Sequence, residues 1–554
     1  MTAVRWPMIR RLSVVALCAS FALPAAAAHQ HGAQSASKVP LFDNLGTHHH
    51  KITTKVPPAQ RYFDQGLRLV YAFNHDEALR AFKEAARLDP QCAMAQWGIG
   101  LALGPNYNLP LDDERNKAAY AATQKAVKLA PKASAPERAY IAALAQRYSL
   151  SPTADRKAFD QAYADAMRAV ARTYPDDLDA ATLYAEALMD LRPWALWTLD
   201  GQPQPGTLEI VSTLEEVLKK DPMHPGANHY YIHAIEASPQ PERGLVAAEH
   251  LRTLVPGAGH LVHMPSHIYM RTGRYADASD ANTQAIKVDE AYIAAAHPKG
   301  VYPMMYYPHN IHFLWAAASM EGRSADAIRA AREVTNGVSP EMVKEMGMIE
   351  YFVPTALFAL ARFGNWDDIL REPAPPPDQA YATGVWLYVR GLAFAATGRL
   401  DEAASQQQAV ATAAAAMPPD RIIGDNTPPA ALLHIAAETL AGECAARRGQ
   451  TDEAVTHLQE AVRAEDALPY TEPPPWYFPV RQSLGAVLLA AGRPADAEAV
   501  YREDLARNPE NGWSLFGLTQ ALRARQADAQ AADIEARFRK AWARADVTLT
   551  ASRF

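Results

Sequence analysis

Cysteine is scarce in this sequence, with three residues among 554. Cys18 lies in an apolar stretch near the N-terminus, so only Cys92 and Cys444 remain for the rest of the chain. Two cysteines provide no disulfide framework, although one long-range bridge between them stays open. We therefore expect the fold to depend mainly on the packing of ordinary side chains.

Basic residues do not outnumber acidic ones, and long apolar runs are missing beyond the N-terminus. The formal net charge is −7, and it falls to −10 without residues 1–28, which contain three arginines and no acid. No nucleic-acid partner is therefore expected. No apolar run approaches the roughly 20 residues that a membrane-spanning helix needs, so no membrane span is expected either. With 49% hydrophobic residues, the chain has enough apolar surface to fold.

Signatures of common enzymes are also missing. The sequence has no GxSxG nucleophile elbow, no GxxxxGK(S/T) phosphate loop and no GxGxxG after a predicted strand. An enzyme built on this chain would need a different kind of site.

The N-terminus is typical of a secretion signal. Arg5, Arg10 and Arg11 precede the apolar stretch LSVVALCASFALP, and the small residues AAAA follow it. Leu17 stands before Cys18, where a lipoprotein signal would have a small residue. We expect residues 1–28 to be a signal peptide and the protein to be periplasmic or secreted, in soluble form.

The rest of the chain is predicted to be helical, because apolar residues recur at i, i+3 and i+4 between Pro and Gly breaks. Small residues return at a fixed spacing, first at Gly66, Ala78 and Ala85, with Pro90 after them. The same spacing recurs at Ser266, Ala278 and Ala285, at Gly442, Ala454 and Ala461, and at Gly485, Ala497 and Pro509. Small residues at these positions let two antiparallel helices pack closely.

These units resemble the tetratricopeptide repeat, a 34-residue helix-turn-helix motif, over roughly residues 56–540. The turn segments GRYADA (273–278), GRLDEA (398–403) and GQTDEA (449–454) are in register with the small residues. The resemblance implies an all-α solenoid of stacked helix pairs, in which each repeat packs only against its neighbours. We expect an exported, bacterial-type tetratricopeptide protein.

Breaks in the repeat pattern suggest how the chain is divided. The expected parts are a signal peptide (1–28), a histidine-containing segment (29–55), an N-terminal lobe (56–370), a proline-rich linker (371–380), a C-terminal lobe (381–540) and a tail (541–554). Segments 193–207 and 297–308 interrupt the register with Pro, Gly and aromatic residues, and we predict that both are inserted loops.

Histidines concentrate on the first helices of three successive units. His260, His263 and His267 occupy the second, fifth and ninth positions before the turn GRY, and such spacing places them on one helical face. His229 and His233 lie 34 residues before His263 and His267, while His309 and His312 take the second and fifth positions of the following unit. In the family that the chain resembles, these positions line the concave groove.

Such a cluster is predicted to bind one or two transition-metal ions. Packed helix axes lie roughly 8–10 Å apart, so imidazoles at equivalent levels of neighbouring helices can meet at one ion. The predicted ligands are His229, His233, His263, His267 and His312, with His260 and His309 as further ligands or as residues that orient them. Copper and zinc are the expected metals, with iron as a further candidate.

Glu236 follows His233 on the same helical face, and we predict that it accepts a proton. A metal-dependent oxidoreductase or hydrolase, with a small-molecule or peptide ligand in the groove, would then follow. The alternative is a metal-free scaffold that grips a partner protein or peptide, or histidines that recognise a ligand without metal or only line the groove. A peptide-gripping groove would more typically carry Lys, Arg and Asn, which favours the metal site.

The remaining histidines are weaker candidates. His48, His49 and His50 precede the first repeat and either fold back on the groove or form an exposed segment. A chain cleaved after Ala28 would begin with HQH, in which His31 and the terminal amine can chelate copper or nickel. We predict structural or surface roles for His75, His224, His250, His297, His434 and His457. The aromatic segments 194–201 and 472–477 suit ligand stacking, although packing is the expected role.

Overall fold

The computed structural model describes residues 39–151 and 155–554, and residues 40–554 form one unit. The predicted signal peptide and the predicted HQH terminus lie outside the described residues. Within them the chain is α-helical, and three isolated bridges are the sole β-type pairing. No helix in this part of the chain has both the length and the apolar character needed to cross a membrane.

The helices follow one another with short connections. In the first half they are α1 (Pro57–Val70), α2 (His75–Leu88), α3 (Ala93–Leu103), α4 (Asp113–Leu129), α5 (Ala135–Leu144), α6 (Arg156–Thr173), α7 (Leu178–Met189), α8 (Thr207–Lys220), α9 (Pro225–Ile235), α10 (Leu245–Leu254), α11 (Gly259–His263), α12 (Pro265–Arg271) and α13 (Tyr275–Ala296). In the second half they are α14 (Tyr307–Met320), α15 (Ser324–Gly337), α16 (Pro340–Glu345), α17 (Thr355–Arg362), α18 (Trp366–Arg371), α19 (Ala380–Ala396), α20 (Leu400–Ala415), α21 (Pro429–Arg447), α22 (Thr451–Asp466), α23 (Val480–Ala490), α24 (Pro494–Arg507), α25 (Gly512–Ala524) and α26 (Asp528–Ala541).

Consecutive helices pack as antiparallel pairs at the small residues that define the repeat. A Cβ atom on Gly66 of α1 would lie 2.6 Å from the Phe82 ring of α2, so only glycine permits this approach. Ser266, Ala278 and Ala285 are fully buried between α12 and α13. The all-α, tetratricopeptide-like solenoid is therefore confirmed.

The predicted inter-helix turns also lie where the sequence puts them. Gly273 joins α12 to α13 with a φ of 74°, and Gly449 joins α21 to α22 with a φ of 76°. Left-handed backbone at the end of a helix favours glycine, because a Cβ atom would be strained there. The glycine of each turn segment thus ends the first helix of its pair.

The two predicted insertions have different structures. Residues 190–206 form a non-helical connection between α7 and α8, as predicted. The prediction of a loop over 297–308 was wrong beyond its first residues, since a π-helix (Tyr302–Tyr306) leads directly into α14. Pro303 lies in the first turn of the π-helix, where a missing N–H leaves no helical bond unmade, and Pro308 lies where the π-helix continues into α14.

Both ends of the solenoid contact its middle. Near the start, the Tyr292 hydroxyl of α13 donates to Glu77 of α2 at 3.3 Å. Near the end, Trp513 Nε1 of α25 donates to the Ser319 carbonyl oxygen of α14 at 3.0 Å. These contacts place α9, α11, α12 and α14 in the interior of the curled chain.

The chain between α18 and α19, residues 372–379, has no helix. Ile369 and Tyr381, on either side of it, belong to one hydrophobic cluster that extends from Ile286 to Leu549. The division into two lobes at this point stays a prediction. Cys92 and Cys444 are both free and buried, so no disulfide joins them, and burial raises the pKa of Cys92 to about 11.

Candidate metal centre

Six histidines from the first helices of three neighbouring repeats meet in the interior, and the first helix of the middle repeat is divided into α11 and α12. They are His229 and His233 of α9, His260 and His263 of α11, His267 of α12 and His309 of α14. All are at most 1% exposed except His309, which is half-buried. They come from the first helices of successive repeats, at the positions that the register of the sequence gives them.

Pro265 divides the histidine-rich segment into α11 and α12. Because Pro265 has no N–H, the regular helical hydrogen bonding cannot continue through this point. Met264 nevertheless keeps a helical backbone, with φ −50° and ψ −33°. His263 and His267 therefore still lie on one face, with their Nε2 atoms 2.9 Å apart.

The first triad consists of His229, His233 and His260. One ring nitrogen from each lies within 4.8 Å of the other two. His229 Nε2 and His260 Nε2 are 3.2 Å apart, and His233 Nε2 is buried without a hydrogen-bond partner among the described residues. Three imidazole nitrogens thus converge on one small volume.

The second triad consists of His263, His267 and His309, and it has the same spacing. His263 Nε2 lies 2.9 Å from His267 Nε2 and 3.2 Å from His309 Nε2. The triads adjoin, because the ring centroids of His260 and His263 are 5.7 Å apart.

The triads do not combine histidines at equivalent positions of neighbouring repeats, and this differs from the sequence-based expectation. His229, at a fifth position, meets His260, at a second position. The next pair repeats this offset, since His263 at a fifth position meets His309 at a second position. Successive repeats are shifted along each other, so a second position comes level with the fifth position of the repeat before it.

Glu236 links the two triads through the Nδ1 atoms of two of their histidines. Its Oε1 accepts a hydrogen bond from His233 Nδ1 at 2.8 Å, and its Oε2 accepts one from His267 Nδ1. Burial alone would raise the pKa of this carboxyl, but the neighbouring charges of His267 and His233 lower it to about 2. Glu236 is therefore a carboxylate whose two oxygens both hold a histidine ring.

Two more rings have their Nδ1 atoms fixed by acceptors. His229 Nδ1 donates to the Tyr71 carbonyl oxygen at 2.6 Å, and His263 Nδ1 donates to Asn282 Oδ1 at 2.7 Å. The Asn282 amide is itself oriented, because its Nδ2 donates to Ser266 Oγ at 2.9 Å. With the proton on Nδ1, the Nε2 atom of each neutral ring carries a lone pair.

The contact between His263 and His267 brings two lone pairs together when both rings are neutral. Each ring then uses its Nδ1 proton elsewhere, so neither Nε2 atom can donate to the other. Burial, together with the nearby His309 and His267, lowers the pKa of His263 well below its usual value, which disfavours a shared proton. Two ring nitrogens at 2.0–2.1 Å from one tetrahedral zinc ion would lie about 3.3 Å apart. The observed separations of 2.9 and 3.2 Å are close to that value.

A second set of buried polar residues supports the start of α11. The backbone N–H of His260 donates to the Tyr302 hydroxyl at 3.2 Å, and that hydroxyl donates to Asp289 at 2.8 Å. Asn310 donates to the other oxygen of Asp289 at 2.7 Å. A Cβ atom on Gly259 would lie only 1.9 Å from the Asp289 carboxyl, so glycine lets α11 approach it.

The structure does not bring His312 to either triad. Among the described residues it belongs to no metal-ligating group, and its ring packs against Trp315, Tyr351 and Phe352. Burial lowers its pKa to about 3. The shift between repeats explains this position, because Tyr351 and Phe352 stand in the next unit where a partner histidine would be needed.

The N-terminal histidines fold back, but onto a different carboxylate. Asp179 accepts hydrogen bonds from His48 Nε2 at 2.9 Å, His50 Nδ1 at 2.7 Å, His224 Nε2 at 3.2 Å and the Tyr71 hydroxyl. We call these five residues the Asp179 hub. They hold the pKa of Asp179 well below its usual range, against the opposing effect of burial.

A cavity reaches the triads from outside. His260, His267 and His309 form one side of it, and Asp425 and Glu472 lie on the same lining. Burial raises the pKa of Asp425 to about 6 and that of Glu472 to about 7. Glu472 belongs to the aromatic segment 472–477, which the sequence analysis singled out, whereas Trp476 of that segment is packed in the core.

Some residues of the site escape sequence reasoning. Asn282 could have been found, because it is a polar residue on the face of α13 that carries the small residues Ala278 and Ala285. The Tyr71 carbonyl and Asp425 give no comparable signal, since one is backbone and the other comes from a loop between α20 and α21.

No family model and no curated protein matches this sequence. Solved structures that share the helical architecture include the human IFIT1 dimer with m7Gppp-AAAA, at 13% identity and a TM-score of 0.33, covering 88% of this chain and 90% of that one. The TPR domain of P58(IPK) is similar at 12% identity and a TM-score of 0.20, covering 85% of this chain and 98% of that one. Scores this low carry no inference about what this chain binds.

Proposed function

We propose that this chain binds two transition-metal ions, one at each histidine triad, inside an exported tetratricopeptide-like solenoid. The observation that carries the proposal is the close approach of His263 Nε2 and His267 Nε2, at 2.9 Å, when both rings have their protons on Nδ1. A cation between these lone pairs removes their repulsion. Burial disfavours a proton on His263, and a metal ion is held by neutral imidazole.

The surroundings of the rings fit metal ligands. A histidine that binds metal through one nitrogen usually donates its other N–H to a carboxylate or a carbonyl oxygen. His229, His233 and His267 follow this rule with the Tyr71 carbonyl and Glu236. The position of His260 and His309 within the triads favours roles as direct ligands for both.

Three histidines and one open position are typical of catalytic zinc sites, and the same donors suit copper. Non-haem iron sites usually add a carboxylate oxygen. The oxygens of Glu236 are engaged with histidine N–H groups, so copper and zinc fit the triads better than iron does.

Glu236 is better suited to orienting ligands than to accepting a proton. Each of its oxygens already accepts from a ring nitrogen, at His233 and at His267. Its pKa of about 2 also makes it a weak base near neutral pH. We therefore assign it the task of holding one ring of each triad.

An open metal position beside a cavity supports a metal-dependent enzyme. Zinc at these positions would support a hydrolase, since zinc activates bound water. Copper would support an oxidoreductase. Export of the protein, which the N-terminal sequence predicts, would place this chemistry in the periplasm or outside the cell.

A second candidate function is the binding of a partner peptide. A groove of about 820 Å³ adjoins the cavity, and its lining includes Trp197, Trp315 and Tyr275. Trp194 and Glu472 line both the groove and the cavity. A peptide held in the groove could therefore reach the triads, so this function and metal binding are compatible.

The direct experiment is elemental analysis of the exported protein, prepared without a polyhistidine tag. We expect about two equivalents of copper or zinc per chain, because the structure has two triads of three imidazoles. Protein that is purified without metal, and that takes up neither zinc nor copper on titration, would overturn the proposal.

A further inference from the structure

The cavity beside the triads has three chemically distinct sides. His260, His267 and His309 form the side that faces the proposed ions. Met305, Ile349 and Phe352 are part of an apolar wall. Asp425 and Glu472 make the third side acidic, and the residues that line the cavity include no lysine or arginine. This division restricts the kind of molecule that the cavity can hold.

One carboxylate oxygen of Glu472 lacks a hydrogen-bond donor. Its Oε1 accepts a hydrogen bond from the Tyr470 hydroxyl, whereas its Oε2 is buried and has no partner in the part of the chain that the structure describes. Glu472 is 3% exposed. A buried acceptor without a partner carries a free-energy cost, which a ligand that donates a hydrogen bond would remove.

The apolar wall adds a second requirement. Small-molecule sites typically have mostly apolar linings and a few polar groups that fix the orientation of the ligand. A purely apolar ligand would leave Glu472 Oε2 unpaired, and an anionic ligand would meet two acidic side chains. Both classes are therefore disfavoured.

We infer that the cavity binds a small molecule with an apolar body and a hydroxyl or amine head group. The hydrogen of the head group donates to Glu472 Oε2, and the lone pair on the same atom faces the histidine side of the cavity. The apolar body packs against Met305, Ile349 and Phe352. This inference rests on the proposed metal centre and adds to it the class of its ligand.

The inference is tested by calorimetric titration of the zinc-loaded full chain, after elemental analysis has established its zinc content. The probes share a two-carbon chain on a benzene ring and differ in the head group: 4-ethylphenol, 2-phenylethylamine, 4-ethylbenzoate and ethylbenzene. We expect the phenol and the amine to bind at least about 10-fold more tightly than the other two, because only they supply the donor that Glu472 lacks.

Variants identify the cavity as the place of binding. Glu472→Gln should weaken the phenol and the amine by roughly 10-fold, since it removes a charge-assisted hydrogen bond. Met305→Trp should weaken the binding of both probes, because the larger side chain at this half-buried position fills part of the cavity. Glu453→Gln, a matched change at an exposed residue of α22, should have no effect. All three variants should keep the zinc content of the parent chain.

Two kinds of failure are distinguishable. A parent chain that holds no zinc overturns the proposed function itself. A zinc-loaded chain that binds neither the phenol nor the amine overturns the inference alone. So does equal binding by the Glu472→Gln, Met305→Trp and Glu453→Gln variants, or a preference for 4-ethylbenzoate or ethylbenzene.

Discussion

The proposed metal centre and the Asp179 hub contain the same residue types, a buried carboxylate ringed by histidines, but they leave different atoms unpaired. At the metal centre, Glu236 takes one N–H each from His233 and His267, and the Nε2 atoms of both rings carry lone pairs. At the hub, His224 Nε2 donates to the carboxylate while its Nδ1 accepts from the Ala227 N–H. His224 thus has no lone pair to offer a metal ion.

The difference shows that close spacing of histidines and acids does not by itself make a metal site. His48, Asp179 and His224 also bring ligand-type atoms within 4.8 Å of each other. Asp179 nevertheless accepts four hydrogen bonds, which is the capacity of a carboxylate. The tautomer of His224, set by the Ala227 N–H that its Nδ1 accepts, separates this residue from the proposed ligands.

The two regions are connected through Tyr71. Its hydroxyl donates to Asp179, and its carbonyl oxygen accepts from His229 Nδ1. The Asp179 hub therefore fixes the end of α1 that orients one ligand of the first triad. We expect the hub to stabilise the fold and to affect metal binding only through this connection.

The largest expected effect follows from removing a ligand. His263→Ala should abolish binding at the second triad, lowering affinity by more than the 10–100-fold that an orienting partner is worth. Repeat packing does not depend on this ring, so helical content by circular dichroism should stay the same. His312→Ala is the matched control, since it removes a buried histidine outside both triads and should keep both ions. If the His263→Ala and His312→Ala variants held the same amount of metal, a triad histidine would not differ from a buried histidine outside the triads.

A smaller effect is expected when the shared carboxylate loses its charge. Glu236→Gln should weaken both ions by roughly 10–100-fold, because the amide cannot accept from two ring N–H groups. Competition with a chelator would measure this change. The same change at the hub, Asp179→Asn, is the control and should leave the second triad unaffected. Loss of affinity at only one triad would show that Glu236 does not join them.

The hub itself is expected to matter for stability. Asp179→Asn replaces an acceptor by a donor next to His48 and His224, and each buried donor left unpaired costs about 1–3 kcal/mol. We expect the free energy of local unfolding to fall by at least that amount in α1 and α7, as measured by hydrogen exchange of the metal-free chain. If hydrogen-exchange protection in α1 and α7 were unchanged while the variant lost metal, the hub would be part of the metal centre.

The smallest effect is a pH dependence at His50. Although burial alone would lower it, Asp179 raises the pKa of His50, and the pKa of Asp179 is lowered. A raised histidine pKa stabilises the fold below about pH 6.5, and a lowered aspartate pKa does so above about pH 4. His50→Ala should therefore reduce thermal stability most between these values, by about 1 kcal/mol, and less as the pH rises. His49→Ala, which removes a half-exposed ring bonded to Asp64 instead of Asp179, is the matched control.

Much of the fold could be predicted from the sequence, because its determinants are local and periodic. Ser266, Ala278 and Ala285 mark a helix pair through their spacing alone, and Gly273 marks its turn. The loop predicted over 297–308 failed because its Pro, Gly and aromatic residues break the repeat register, whereas a π-helix accommodates several of them ahead of α14.

The sequence could predict which residues belong to the candidate site, but not how they are arranged. The 34-residue offset placed His229, His233, His263 and His267 on neighbouring helices that face the same interior, and the structure does bring them together. The offset could not show that second positions meet fifth positions, because that depends on how far successive repeats shift along each other. For the same reason the sequence could not separate His312 from the other histidines.

The central claim is that the lone pairs of each triad converge on one metal ion. The most direct test is anomalous diffraction at the zinc absorption edge from crystals of the zinc-loaded chain. We predict one peak in each triad, at about 2.0–2.1 Å from the Nε2 atoms of its histidines, and no peak at Asp179. Triads without a peak, or a peak at the Asp179 hub in their place, would contradict the account.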